Sequence, residues 1–309
     1  MKWWTPLAVL IVLIAAFAIS YTLPSEPAPE PEGSKETLAA DGVLPQKITS
    51  SGLDKNYSFA GEFLPLENFD VRERLDRELT VNSYYHSSTL LLLKRAKRYF
   101  DIMDPILKEE GVPKDFKFVA VAESALSNAT SPAGAKGFWQ FMERTGEHYG
   151  LEVNRDIDER FHLEKATRAA CQLIKDYYER FGSWSLAAMA YNGGETRIAR
   201  SLREQKAEHF YELNLNEETM RYLFRIIALK EIMSQPEKFG YLIEEKDQYS
   251  ELPAYKVLEV DTTIADLGAF AEAQQISYRM LKVYNPWMLT GRLPNRSGKL
   301  YEIKVPFPE

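Results

Sequence analysis

The sequence predicts a mainly α fold: an all-helical domain followed by a small βααβ module. Two observations carry this. Between about Phe59 and Tyr249 apolar residues recur at a helical period, and no segment alternates convincingly like a strand. From about Pro253 the texture changes to two alternating runs that enclose two short helical patterns. Ahead of both lie a charge-free run and a Pro/Glu-rich spacer. The resulting division is 1–23 anchor or signal, 24–58 linker, 59–249 helical domain and 250–309 module.

From Trp3 to Leu23 there are 21 residues without a charge. At about 1.5 Å per residue such a run spans a bilayer core of about 30 Å. Ala16-Phe17-Ala18 also offers a small-x-small cleavage site, so a removed signal peptide is the second reading. The anchor is favoured. A buried core helix fits poorly with a run at the N-terminus that is followed by a linker. Orientation rests on Lys2 alone. The linker contains Pro24-Ser25-Glu26-Pro27-Ala28-Pro29-Glu30-Pro31-Glu32, an extended and solvated composition. An anchored or secreted protein of the cell envelope, working outside the cytoplasm, is expected.

In the helical part, Leu93, Ala96, Phe100, Met103 and Leu107 form one stripe. Leu163, Ala166, Ala170, Leu173, Tyr177 and Phe181 form the next. Trp184, Ala187, Ala188 and Tyr191 make a short third, and Met220, Leu223, Phe224 and Ile227 a fourth. Gly111-Val112-Pro113, Gly134, Gly150, Gly182, Gly193-Gly194 and Pro236 separate them. In the module, Tyr255–Val260 and Leu300–Pro306 read as strands. Thr262–Gln275 reads as a helix capped by Asp261 or Thr262, and Ser277–Tyr284 as a second helix stopped by Asn285-Pro286.

Of 309 residues, 38 are Lys or Arg and 45 Asp or Glu, a net charge of −7. A general nucleic-acid binder needs a basic surface, so that class is excluded. The single cysteine, Cys171, rules out an internal disulfide and thiolate zinc sites of the CxxC type, with carboxylate-only metal sites left open; it sits in an apolar stripe and reads as a small core filler. Four histidines without HExxH spacing give no metal motif, and no cofactor is called for.

Chemistry concentrates in three segments. Glu123 ends an apolar helical stretch that includes Phe116, Phe118, Val119 and Val121. Apolar surroundings disfavour a carboxylate, and a carboxylic acid still protonated near neutral pH can act as general acid. On position alone Glu123 also reads as a surface residue near a helix end. Ser131 to Met142 follows as SPAGAKGFWQFM: small residues for close backbone approach, aromatic faces for sugar C–H surfaces, and Ser131 and Gln140 for neutral hydrogen bonds. Trp139 reads equally as core. Ala187 to Gly194 ends a helix with the Tyr191 hydroxyl and the Asn192 amide, and reads equally as a plain C-cap.

Together these motifs resemble the lytic transglycosylases of the soluble-transglycosylase, goose-lysozyme-like type, most closely the membrane-bound murein transglycosylase D branch. The resemblance runs from about Val112 to Leu229. Glu123-Ser124 resembles the family's catalytic Glu-Ser, residues 134–142 its GAxGxWQFM block, and Ala190-Tyr191-Asn192-x-Gly194 its AYNxG block. Thr145, Asp158-Glu159-Arg160, Ala166-Thr167 and Glu218-Thr219 fall on further family positions. Ala125-Leu126 departs from it, standing where the family often has an aromatic.

The resemblance implies a lysozyme-like catalytic domain that cleaves the β-1,4 bond between N-acetylmuramic acid and N-acetylglucosamine. Glu123 would protonate the leaving oxygen, then accept the proton of the muramoyl C6 hydroxyl, which closes a 1,6-anhydro ring. Tyr191 would hydrogen-bond near the acid or the acetamido group. Ser131, Gln140 and Met142 would line sugar subsites, and Asn192 and Glu218 would complete the cleft, with Glu217 the alternative to Glu218. Peptidoglycan strands are the implied partner. A hydrolytic muramidase would need a second carboxylate; Asp156, Asp158 and Glu159 are candidates, though they read more simply as solvated loop acids. A non-catalytic wall-binding protein is the rival from another class. The C-terminal module resembles a LysM domain, with Asp261-Thr262 and Leu281 to Asn285-Pro286 at matching positions and Val260 in place of the usual Gly. A purely structural appendage is the other reading of it.

Overall fold

The computed structural model describes residues 49–50 and 52–308. The expected anchor or signal (1–23) and residues 24–48 and 51 of the expected linker lie outside them. Among the described residues no helix is long and apolar enough to cross a membrane. Thr49 to Glu309 forms one compact unit.

Its first part is built from α1 (Phe69–Tyr84), α2 (His86–Glu109), α3 (Lys117–Ser124), α4 (Glu143–His148), α5 (Leu163–Phe181), α6 (Trp184–Gly193), α7 (Glu195–Gln205) and α8 (Glu217–Ser234). α8 is the organising helix. Ten of its residues are buried, including Tyr222, Phe224, Ile226, Ile227 and Ile232. A helix that is apolar nearly all round must be surrounded; α8 packs against α1, α3 and α6. α2 and α5 carry the first two stripes read from the sequence. Cys171 lies fully buried in α5, where burial pushes its thiol up to about 12, consistent with an inert filler.

Two features depart from the all-helical expectation. A hairpin pairs β1 (Ser58–Phe59) with β2 (Glu62–Phe63). A second ladder joins Thr130 to Lys136 and Lys136 to Phe141 through single bridges. Both are too short to leave an alternating signature. The hairpin has a function in the fold: Glu62 accepts from Ser183 Oγ (2.8 Å) and from the backbone N–H of Trp184 (2.6 Å) and Ser185 (3.0 Å). A carboxylate thus caps the positive end of α6, whose other end carries Tyr191 and Asn192.

The C-terminal part has the βααβ order expected. β3 (Tyr255–Val260) pairs antiparallel with β4 (Tyr301–Pro306) in continuous register, and α9 (Leu267–Ala273) and α10 (Tyr278–Tyr284) lie between them. The first helix starts later than read, capped not by Asp261 or Thr262 but by Asp266, which accepts from Gly268 N (2.7 Å) and Ala269 N (3.1 Å). The β-branched run Thr262-Thr263-Ile264 disfavours helix, and Ile264 instead exchanges two 2.9 Å backbone bonds with Leu293.

The two parts share a core. Ile157, from the loop before α5, is fully buried among Leu267, Leu281, Trp287, Met288 and Ile303 of the C-terminal part. Burying an isoleucine contributes about 1.5–3 kcal/mol. Backbone bonds Asp158 N to Trp287 O (2.9 Å) and Leu289 N to Asp156 O (2.8 Å) flank it. Asp156 meets Arg292 (3.1 Å), Glu152 meets Lys299 (2.6 Å), and Glu164 pairs with Lys304.

Candidate active site

α3 delivers Glu123 from within the core. Phe118, Val119, Ala120 and Val121 are buried, and the helix stops directly after the acid because Ala125 (φ 51°) and Leu126 (φ 52°) both turn left-handed. Left-handed backbone costs about 1–2 kcal/mol per non-glycine residue, and two together bend the chain sharply away. Buried Leu126 and a bond from Arg95 Nη1 to the Ala125 carbonyl (3.0 Å) hold the bend.

Glu123 is half-buried. The Tyr222 hydroxyl donates to its Oε1 at 2.6 Å. Burial raises the carboxyl; the Tyr222 bond and the charge of Arg225 pull it back, Glu218 pushes it further up, and the net position is above the ordinary carboxylate range. The same burial, with the Glu123 charge next, holds the phenols of Tyr191 and Tyr222 well above their usual value, so both remain donors. The site therefore contains one apolar-seated acid and two protonated phenols.

The hydroxyl that meets the acid is Tyr222's, not Tyr191's. Tyr191 donates instead to the Trp139 carbonyl at 2.6 Å, and its ring lies 6.4 Å from those of Trp139 and Phe141. It thus binds the end of α6 to the 131–142 loop while remaining within electrostatic reach of Glu123. Asn192 Oδ1 accepts from Thr219 Oγ1 (3.1 Å), tying α6 to α8. Glu217 pairs with Arg221 (3.6 Å) and Arg77 (3.8 Å), whereas Glu218 is the exposed neighbour whose charge reaches Glu123. Sequence reading missed Tyr222 and Arg225. Their signal was the i, i+4, i+7 row Glu218-Tyr222-Arg225 on one face of α8.

The 131–142 loop folds on itself. Ser131 Oγ accepts from Ala135 N (3.0 Å) and keeps its own proton to donate. Gln140, at φ 50°, turns its amide inward to the carbonyls of Gly137 (2.7 Å) and Ala129 (3.1 Å). Met142 is 48 % exposed at the start of α4. Phe138, Trp139 and Phe141 are buried, so they are core rather than sugar platforms; the Trp139 indole donates to Thr167 Oγ1 (2.9 Å).

Beneath this loop lies Arg160. It is buried against Asp158 through Nε (2.8 Å) and Nη2 (2.7 Å), and its Nη1 donates to the carbonyls of Phe141 (3.2 Å) and Gly134 (3.4 Å). Gly137 (φ 79°) rests directly on the Arg160 carbonyl, 1.9 Å from where a Cβ would stand. Asp156, Asp158 and Glu159 are thus not solvated loop acids. All three are buried and engaged, by Arg292, by Arg160 and Lys136, and by Lys165 and Lys299. Desolvation pushes Asp158 and Glu159 up, but those bonds outweigh it and hold both below the ordinary range. Among the described residues no cluster of His, Cys, Asp and Glu could hold a metal ion.

Residues 102–214 match the family model described as the transglycosylase SLT domain. Residues 256–309 match that of the soluble lytic transglycosylase C-terminal LysM-like domain. Over 259 residues the chain is 29% identical to the membrane-bound lytic murein transglycosylase D of Escherichia coli K12, and equally to that of E. coli O6:H1. The match covers 81% of this chain and 55% of theirs, so the chain spans about half the length of the curated relatives it matches. A solved structure of an inactive mutant of lytic transglycosylase Slt from Pseudomonas aeruginosa aligns at 19% identity and a TM-score of 0.38, over 49% of this chain and 26% of that one.

Proposed function

We propose that this chain, which carries an SLT-type transglycosylase domain followed by a LysM-like domain, is a peptidoglycan lytic transglycosylase. It cleaves the bond between N-acetylmuramic acid and N-acetylglucosamine and leaves a 1,6-anhydro end. The reading rests above all on Glu123, a carboxyl raised by burial and held by one phenol. Protonated Glu123 gives its proton to the bridging oxygen. The resulting carboxylate, steadied by Tyr222 and Arg225, then takes the proton of the muramoyl C6 hydroxyl as that oxygen attacks C1. Ordinary glycosidases place two carboxylates about 5–5.5 Å or 6.5–9.5 Å apart. The acids near the loop are neutralised by Arg160, Arg292, Lys165 and Lys299, which favours the transglycosylase over the hydrolytic muramidase. An intact acid in its apolar seat weighs against a purely wall-binding protein.

In this reading Ser131 and Met142 border the sugar subsites, and Gln140, Tyr191 and Asn192 hold the walls that shape them. Glu218 lies at the mouth and raises the acid. The catalytic part is taken as 59–249 and the glycan-binding module as 250–309. Residues 1–23 are taken as an inner-membrane anchor facing the periplasm, on the strength of the 21-residue charge-free run and the membrane-bound relatives. Carbonate washing of membranes tests the anchor: release into the supernatant overturns it.

The central experiment is mass spectrometry of sacculus digests by wild type and Glu123→Gln. Wild type should release anhydro-muropeptides, one water lighter than hydrolytic products, and the variant should lose about 10²–10⁴-fold in rate. Products carrying the extra water, or a variant within about threefold of wild type, refute the assignment.

A further inference from the structure

A cavity of about 470 Å³ opens at the seam between the two parts, lined by Glu152, Asp156, Arg292, Asn295, Arg296 and Tyr301. None of these residues takes part in the Glu123 site. Of the charged residues that line the cavity, Asp156, Glu152 and Arg292 have ion-pair partners and Arg296 has none; Arg155, whose charge also reaches Asp156, lies outside the lining. Asp156 is satisfied by Arg292 (3.1 Å) and the Thr290 hydroxyl (2.7 Å). Glu152 is satisfied by Lys299 (2.6 Å) and the Tyr301 hydroxyl (2.9 Å). Arg296 is exposed, and no hydrogen bond or ion pair engages its guanidinium.

The loop that presents Arg296 is fixed in shape. Buried Asn295 donates to the Lys299 carbonyl (2.6 Å) and accepts from Lys299 N (3.1 Å), and its own N–H donates to Thr263 Oγ1 (2.9 Å). The opposite wall is fixed too. Asp156 lies two residues before Asp158, whose partner Arg160 holds the carbonyls of Gly134 and Phe141 in the 131–142 loop. The cavity therefore keeps a constant position relative to the sugar-facing loop.

A preformed polar cavity with one uncompensated guanidinium, on a chain of net charge −7, selects an anion of planar fork shape, as a carboxylate is. In the polymer assigned above as substrate, the sugar hydroxyls and acetamido groups are neutral. Carboxylates occur on the peptide stems that branch from the muramoyl rings. We infer that the seam cavity is a binding site for the carboxylate of a peptide stem, with Arg296 as its contact; this rests on the peptidoglycan reading. The paired groups around it offer hydrogen bonds to the amides of the same stem.

The test uses the full chain carrying Arg296→Ala, which removes no internal contact. Its kcat/KM is compared on stem-bearing glycan strands and on strands stripped of stems by an amidase and then amidated at the lactyl carboxylates that the cut exposes. The expected result is a loss of about fivefold on stem-bearing strands, the scale of one exposed ion pair, with no change on stripped strands; Arg296→Lys, which keeps the charge but not the fork, should fall between wild type and the alanine variant, and Arg296→Glu should lose more than the alanine variant. Equal losses on both substrates, or none on either, overturn the site. Calorimetric binding of both strand types to the Glu123→Gln chain, with and without Arg296→Ala, reads the stem dependence without cleavage. A stem-dependent difference in binding supports the site even if Glu123→Gln still cleaves, which would sink only the catalytic assignment. No difference sinks the site and leaves the catalytic assignment standing.

Discussion

Replacing Gly137 by alanine should destabilise the protein by two separable effects. The backbone at Gly137 has φ 79°, and a side chain there costs about 1–2 kcal/mol. The new Cβ would also stand 1.9 Å from the Arg160 carbonyl oxygen and 2.8 Å from its carbon, whereas real Cβ contacts stay beyond 3.0 Å. At least 3.0 − 1.9 = 1.1 Å must be opened against a residue pinned by Asp158 and by two carbonyls of the same loop. Overpacking of this kind costs about 1–3 kcal/mol, so the total is about 2–5 kcal/mol, a large share of a typical stability of 5–15 kcal/mol. Gly134 is the control. It has φ 86° but nothing within 4 Å of a built Cβ, so Gly134→Ala should cost only the backbone share. Urea unfolding of wild type and both variants measures the difference. Equal losses would mean that the contact with Arg160 carries no weight, and the account of the loop as seated on a buried arginine would be wrong.

Tyr222→Phe should move the alkaline limb of kcat/KM to higher pH. The lost bond favoured the charged acid, so its removal raises the carboxyl further and keeps Glu123 protonated longer; a limb that stays or moves down contradicts this. Tyr191→Phe should lower turnover more than strand binding, because it frees the Trp139 carbonyl and loosens the loop beside the acid; equal losses in kcat and in Kd would make Tyr191 a packing residue only. Asp158→Asn should cost about 3–5 kcal/mol in urea unfolding, since it leaves the Arg160 guanidinium buried with its countercharge gone; a loss under about 1 kcal/mol would mean water or Lys136 rearrangement screens that site.

Much of the architecture was legible because it is periodic. The apolar stripes of α2, α5, α6 and α8 repeat every turn, so local pattern and burial agree there, and β3 and β4 alternate, although Tyr255 and Val257 of β3 stay exposed. α9 was read too long because Thr262-Thr263-Ile264 continues an apolar rhythm, although its pairing with Leu293 decides its conformation. Glu123 and the loop after it could be found from residue type and order. The partner of the acid could not, since Tyr222 lies 99 positions away and meets Glu123 only when α8 packs on α3. Asp156 was misread for the same reason: its neutralising Arg292 is 136 positions further on. Ion pairs closed across such distances leave no local trace.

The seating of Ile157 in the far core joins the segment beneath the 131–142 loop to the C-terminal part. On the proposed function, a glycan strand long enough to reach both would meet two surfaces held together by that side chain and the backbone bonds beside it, so their spacing answers to packing.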